Sequence, residues 1–280
     1  MKTETKKFEI IKDLSNEDYH NLPSFSSSQI KDAVEYNHPM AFFRAKHIDK
    51  ALPRVESAAM GLGTAIHTAW MEPELFESEF ITEPKIDKRT KQGKADYQIF
   101  LDEAANKNII SIDTERKVLN MKRALDYNFN AKSLLEHSIV ESSVFWTDEE
   151  TGLDLRVRPD IWREGLFIAD LKSTKDASRA EFQKTIYKFG YHISAAMYLD
   201  GMRAIGQPMD DFIFICVESS APYLTAIYTL SEDALDIGYR EYREALKNIK
   251  KSVDSGIYKG HNRDKITEIS LPSWVMAKEI

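Results

Sequence analysis

Asp160, Asp170 and Lys172 are the residues whose types and spacing point most directly to chemistry. They lie in Leu153 to Thr174, LDLRVRPDIWREGLFIADLKST, which reads as two strands joined by a turn at Arg163-Glu164-Gly165. In the first strand Leu153, Leu155 and Val157 alternate with charged residues, whereas Leu166 to Leu171 is a nearly unbroken apolar run, as suits a strand buried on both faces. Strand alternation puts Asp170 and Lys172 on one face and Leu171 on the other. A hairpin closing at Gly165 brings Asp160 within a residue or two of Asp170, so two carboxylates and an ammonium meet at one end of a sheet. Hard oxygen ligands of this kind hold magnesium or manganese. Such an ion lowers the pKa of a water and takes up charge on a phosphoryl oxygen. Lys172 would orient that water or stabilise the pentavalent transition state. The plainer alternative is a surface hairpin carrying an exposed Asp–Lys pair.

Composition frames these residues. A chain of 280 residues can bury a sizeable core, and no linker-like stretch divides it. Residues 1–280 are therefore read as one domain, with 1–139 a mostly helical cleft wall and 140–280 a sheet-containing core. The lone Cys216 excludes a disulfide framework and four-cysteine iron–sulfur or zinc sites, and it fits a reducing compartment. No apolar run is long enough to span a membrane, and MKTETKKFEI is too polar for a secretory signal. A cytoplasmic location without a membrane partner is expected. The net charge of −7 argues against coating nucleic acid through an overall field. It leaves room for positive charge confined to a channel beside metal-neutralised carboxylates.

Before this hairpin, Leu14 to Ile48 reads as two short helices broken near Pro39. Ser26, Ser27 and Ser28 offer an N-cap, and a hydroxyl-rich helix start serves equally as a phosphate seat. Arg44 on the next helix would meet the same anion or remain solvated. Met60 to Glu72, MGLGTAIHTAWME, reads as a helix whose Gly61 and Gly63 permit close backbone approach. Ala65, Ala69 and Met71 form its apolar surface, and His67 is either a core histidine or a ligand, depending on where that helix packs. Pro84 to Lys94 gathers Lys88, Arg89 and Lys91 with further lysines, either as a solvated face or as a contact for the DNA backbone. A helix over Ala95 to Asn106 follows. The next helix, Asp113 to Tyr127, has Val118, Leu119, Met121 and Leu125 as its stripe and Asp113 or Thr114 as its cap.

Glu141 to Thr147 should begin the sheet, with Glu141 either projecting toward metal or standing as an exposed strand-end acid. Arg156 and Arg158 share a strand face and would meet phosphate oxygens in the cleft or balance the acids. Ala177 to Ile205 reads as helix interrupted at Gly190, with Tyr191, Ala195, Tyr198 and Met202 as a core stripe. Tyr191, His192 and Tyr198 lie near enough to the sheet end to reach the site. Strands at Phe212 to Val217 and Tyr223 to Leu230, and a helix from Ser231 ending at Gly256, complete the pattern.

Pro159-Asp160 followed by Asp170-Leu171-Lys172 is similar to the PD-(D/E)xK nuclease signature. In order, LSNEDYH, SSSQI, GLGTAIH with MEPELF, KRTKQGK, ESSVFW, RVRPD, DLKST, YHISAAMYLDG and SLPSW resemble the nuclease domain of the RecE-type exonuclease VIII family of phages and prophages. The resemblance implies an α/β restriction-endonuclease-like fold, a mixed central sheet flanked by helices with an N-terminal helical portion. It implies that His67, Asp160 and Asp170 ligate metal together with the Leu171 carbonyl, and that Lys172 is the catalytic lysine. Glu141 becomes an auxiliary acid, and Tyr198 the tyrosine of the helix after the catalytic strand. Two magnesium or manganese ions per site are implied, acting on linear double-stranded DNA. So are 5′ to 3′ digestion of one strand, a RecT-like single-strand annealing partner and assembly into a homo-oligomeric ring. One departure stands out: Ser194 occupies the glutamine position of the family's Q-x-x-x-Y motif, where His192 or a water would have to substitute. The alternatives are a RecB-like nuclease of other polarity without an iron–sulfur cluster, and a catalytically silent DNA-binding subunit.

Overall fold

The computed structural model describes residues 8–12, 14–34, 38–53 and 57–276. Most of the polar N-terminal stretch, and residues 35–37 of the helical segment expected before Pro39, lie outside the described residues. Among the described residues the strands are, in chain order, β1 (Phe8–Ile11), β2 (Phe25–Ser26), β3 (Phe80–Thr82), β4 (Asn108–Ile110), β5 (Ile139–Val140), β6 (Ser143–Thr147), β7 (Asp154–Val157), β8 (Ile161–Arg163), β9 (Phe167–Thr174), β10 (Asp211–Glu218) and β11 (Thr225–Thr229). A five-stranded sheet has the order β11-β10-β9-β8-β5, and a four-stranded sheet the order β1-β6-β7-β2. β3 and β4 form a separate pair.

One hairpin serves both larger sheets. Ile139 faces Trp162 and Val140 faces Ile161 in one half, while Val144 faces Val157 and Trp146 faces Leu155 in the other, all in a single register. Between the halves the ladder breaks at Glu141-Ser142 on one side and Arg158-Pro159-Asp160 on the other. Pro159 has no N–H to give the ladder, and Glu141 takes a left-handed conformation with φ of 47°. The hairpin bends there, and its two halves enter different sheets. The sequence had suggested a single sheet of about five strands opening at Glu141; instead Glu141 sits in the break, and β1 and β2 supply sheet edges from the N-terminal portion.

β9 is the strand from which the site is read. It closes against β8 through a turn at Glu164-Gly165-Leu166, where Gly165 has φ of 68° and the Leu166 N–H donates to the Arg163 carbonyl at 3.0 Å. β9 and β10 run parallel, which requires a crossover. Helices Arg179–Lys188 and Tyr191–Ala204 supply it, divided at Gly190 in the left-handed conformation. Alternate residues of β9 feed two cores. Phe167, Ala169 and Leu171 pack with Ala65, Ile66, Trp70, Val118, Met121 and Leu125 from helices Ala58–Met71 and Ile112–Tyr127. Ile168 packs with Phe182, Ile193, Phe214 and Ile249 on the other face, where helix Glu232–Ser255 closes the layer. Leu171, Ile168 and Ile215 are fully buried, each burial stabilising the fold by about 1.5–3 kcal/mol.

Several helix details differ from expectation. Helix Ile112–Tyr127 is capped by Ser111, whose hydroxyl accepts from the Thr114 N–H, and Leu119 is exposed because it lies off the Val118–Met121–Leu125 stripe. The helix after the basic stretch begins at Lys91 rather than Ala95, because Thr90 caps it. Gly61 meets no neighbour that a Cβ would touch, whereas Gly63 faces the Ser173 hydroxyl at an ordinary contact distance.

Candidate active site

The bend in the shared hairpin places acids at the junction of the two sheets. The Glu141 N–H donates to the Asp160 carbonyl at 3.1 Å, which ties the two sides of the break together. The Asp160 side chain turns toward β9 and accepts the Leu171 N–H at 2.7 Å. Because Ile161 pairs with Ala169, Asp160 stands across from Asp170. Helix Ala58–Met71, capped by the Ser57 hydroxyl on the Met60 N–H, packs on the opposite side and brings His67 Nδ1 to 3.4 Å from Asp160 Oδ2. His67, Glu141 and Asp160 each offer a ligand atom, and these atoms lie within 4.8 Å of one another. On the neighbouring strand position, Asp170 is 7% exposed and forms an ion pair with Lys172. Its Oδ2 is buried and accepts no hydrogen bond of good geometry.

The charges here are poorly balanced. Burial pushes the Glu141 carboxyl up to about 8, and repulsion from Asp160, Glu72 and Asp170 adds to it, with Arg158 opposing. Burial likewise raises Asp160; His67 and Lys172 pull the other way, while Asp170 reinforces the rise. Lys172 is held above its ordinary value: burial disfavours its charge, and attraction to Asp170 and Asp160 outweighs that. Carboxylates gathered at one corner, with an imidazole beside them, form a donor set suited to a divalent cation. The buried Asp170 oxygen without a hydrogen-bond donor fits the same need. His67, Glu141, Asp160 and Asp170 are the residues that would hold it. Among the described residues the three-membered ligand group contains Glu141, while Asp170 is turned to Lys172.

Other expected residues are distributed differently. Tyr191 does reach the site, its ring 4.9 Å from the Lys172 ammonium. Tyr198 is packed edge-on to Phe212 and hydrogen-bonded to Ser27, and burial raises its phenol well above the usual range. Ser26 is a cap: its N–H and hydroxyl both donate to the Gln29 side chain, at 2.8 and 3.1 Å, so they are already engaged. Ser28 is exposed in the same six-residue helix. Arg44 pairs with Asp49 at 3.1 Å and lies over the Tyr258 ring. Lys88 pairs with Glu83 at 2.7 Å above the Tyr97 ring, Arg89 pairs with Asp87 at 2.9 Å, and Lys91 is exposed at a helix start.

Three expected DNA contacts are structural struts. Arg156, 2% exposed, donates to the Leu22 and Ser24 carbonyls and stacks on Tyr19. Arg158 donates to the Ser143 hydroxyl, the Asn16 side chain and the Leu14 carbonyl, at 2.8–2.9 Å, and lies over the same ring. Both arginines thus fasten segment 14–24 to the sheet and do not line a cleft. His192 is buried between helices, with Nε2 2.9 Å from Glu241, so it does not take the place of the missing glutamine. Ser194 lies on the same helix, half-buried. Lys31, which the sequence reading passed over, enters the site from helix Ser27–Asp32 and lies 5.7 Å from the Tyr191 ring. No sequence signal marks it, because its neighbours there come from residues 170–191.

No curated protein matches the sequence. In structure the chain is similar to a protein from Eubacterium rectale named provisionally as an exonuclease, with TM-score 0.63 and 13% identity, covering 96% of this chain and 100% of that one. A phage-related exonuclease from Haemophilus somnus aligns over 85% of this chain and 100% of its own, at TM-score 0.34 and 15% identity. The first likeness is one of fold. A family model described as "PDDEXK-like domain of unknown function (DUF3799)" matches residues 26–259. With that match spanning most of the chain and the acid corner lying inside it, the protein belongs to this PDDEXK-like family.

Proposed function

We propose that the protein is a metal-dependent exodeoxyribonuclease that digests one strand of linear double-stranded DNA from 5′ to 3′. The 3′ single strands it leaves would be taken up by a RecT-like annealing partner, with the nuclease working as a homo-oligomeric ring. The observation that carries the catalytic part is the under-neutralised corner of Glu141, Asp160 and Asp170 beside His67 and Lys172. Polarity, ring and annealing partner rest on the ordered resemblance of the sequence stretches from LSNEDYH to SLPSW.

In this reading His67, Glu141, Asp160 and Asp170, with the Leu171 carbonyl, hold two magnesium or manganese ions. When bound, such ions lower the pKa of the attacking water and take up charge on the phosphoryl oxygens. Lys172, protonated through Asp170 and Asp160, positions that water or meets the negative charge that develops at phosphorus. Asp160 keeps its orientation through the Leu171 N–H, so one ligand is set by the strand backbone itself. Tyr191 fixes the Lys172 ammonium over its ring.

The test is digestion of linear duplex labelled at the 5′ or the 3′ end, with magnesium, by wild type, Asp170→Ala and Lys172→Ala. Release of 5′ label by wild type alone is expected. Release of 3′ label, or nicking of closed circles, contradicts the proposed polarity or the need for an end. Binding without cleavage in either magnesium or manganese rules out the enzyme.

A further inference from the structure

Lys31 is the feature of the site that the nuclease chemistry above does not use. It reaches the acid corner from helix Ser27–Asp32, across Gly190, and its ammonium lies 5.7 Å from the Tyr191 ring centre. Lys172 is 4.9 Å from the same centre. Two ammonium groups therefore share one aromatic ring. Gly190 makes the passage possible: a Cβ there would stand 2.9 Å from Lys31 Cδ and 3.3 Å from Cγ. The left-handed turn between the two crossover helices is thus also the gap through which this lysine enters.

A lysine lying on a tyrosine for packing alone carries its head outward, into water and away from other cations. Lys31 does the reverse. Burial and the positive charge of Lys172 both disfavour its ammonium, and together they lower it to about 8, against attraction from Asp170 and Asp32. The charged groups facing it are thus Lys172 and Asp170 from β9 and Asp32 from its own helix. Asp32 is itself engaged by Lys46 at 2.6 Å and by His47 at 2.8 Å. A second cation held so close to the first is stabilised when an anion arrives between or beside them, and DNA presents one such anion at each backbone step.

We infer that Lys31 is a substrate-binding residue that contacts a backbone phosphate of the strand being cut, next to the phosphate served by Lys172. The inference deepens the nuclease reading and rests on it for the identity of the anion. It assigns separate tasks to the two lysines: Lys172 acts at the reacting phosphorus, and Lys31 holds the register of the strand. Lys31 then contributes mainly to substrate affinity.

The experiment uses the full chain and a short linear duplex. Binding is measured over a salt series without magnesium for wild type, Lys31→Gln and Lys31→Arg, together with Tm, and KM and kcat are measured with magnesium. One lost phosphate contact makes the Lys31→Gln plot of log affinity against log salt shallower by about 0.9. KM should rise about tenfold with kcat little changed, as for loss of one charged hydrogen bond, and Lys31→Arg should stay near wild type. An unchanged salt slope accompanied by a lower Tm overturns the inference and makes Lys31 a packing residue. A fall in kcat with KM unchanged overturns it too. If wild type binds duplex but never cuts it, the nuclease reading fails by itself, and the salt slope still decides whether Lys31 meets phosphate. A wild-type protein that binds no duplex overturns both.

Discussion

Two buried clusters of charge in this molecule are built from the same side-chain types and have opposite electrostatic character. At the tip of the shared hairpin, Asp148 accepts from Arg243, which also donates to Glu150 at 2.6 Å, while the Thr151 N–H and hydroxyl complete the Asp148 shell at 2.9 and 2.6 Å. Burial alone would raise the Asp148 carboxyl, but Arg243 and Thr151 overcome it and hold it below its ordinary value. At the bend of the same hairpin Glu141 and Asp160 are raised, because burial and neighbouring acids are met by too little positive charge. A cluster that balances itself serves the fold. One that leaves its carboxylates unsatisfied stores free energy that an incoming cation releases, and this difference distinguishes the site from the strut more clearly than residue type does.

The largest expected effect separates the clusters by activity. Asp160→Asn keeps an acceptor for the Leu171 N–H but removes one charge from the corner, so DNA cleavage should fall about a thousandfold while the metal-free Tm rises. An unchanged or lower Tm, measured by calorimetry, breaks the comparison. Next, Asp148→Ala strands the Arg243 guanidinium, which is 12% exposed, and should cost about 3–5 kcal/mol in a urea titration, with activity per folded molecule retained. Third, magnesium at about a hundredfold above its dissociation constant should stabilise wild type by about 2.7 kcal/mol and Asp160→Asn by far less, as a thermal shift will show.

The smallest effect is one of sign with pH. Glu141 has a folded pKa raised from 4.5 to about 8, so the metal-free fold binds more protons than the unfolded chain across that interval. Stability from this group is present in acid and lost as pH rises from about 4.5 to about 8, and Glu141→Gln should flatten that slope. Asp148 behaves in the opposite sense. Its folded value is depressed below 3.8, so its contribution is present above that pH and lost as pH falls through the folded value. Denaturant titrations from acid to mild alkali, on wild type and on Glu141→Gln, will show whether the two slopes have opposite signs.

Local chemistry made part of this legible in sequence. The turn at Gly165, the helix division at Gly190 and the helix stop at Gly256 all follow from residues that tolerate a left-handed backbone, and the structure has each of them there. Fixing the turn at Gly165 also fixes Asp160 across from Asp170, since register in a hairpin is set by its turn. The PDDEXK-like fold was legible through motifs carried in order along the chain. What sequence did not disclose depends on contacts between distant segments. Alternation put Arg156 and Arg158 on a shared face, yet nothing in the strand tells that segment 14–24 would fold over them and consume their donors. His192 has helical spacing and a polar tip, and its partner Glu241 lies on a helix 49 residues away. The bend in the hairpin was hidden too, because Pro159 can end a strand as readily as fold one.

The single register that runs through both halves of that hairpin has a mechanical consequence. Its free end is fastened to helix Glu232–Ser255 through Arg243, and its other end is knitted into the five-stranded sheet through β8 and β9. With both ends clamped, the angle at Glu141 and Asp160 has no independent freedom to relax when like charges crowd it. The repulsion stays stored as electrostatic potential at one rigid elbow.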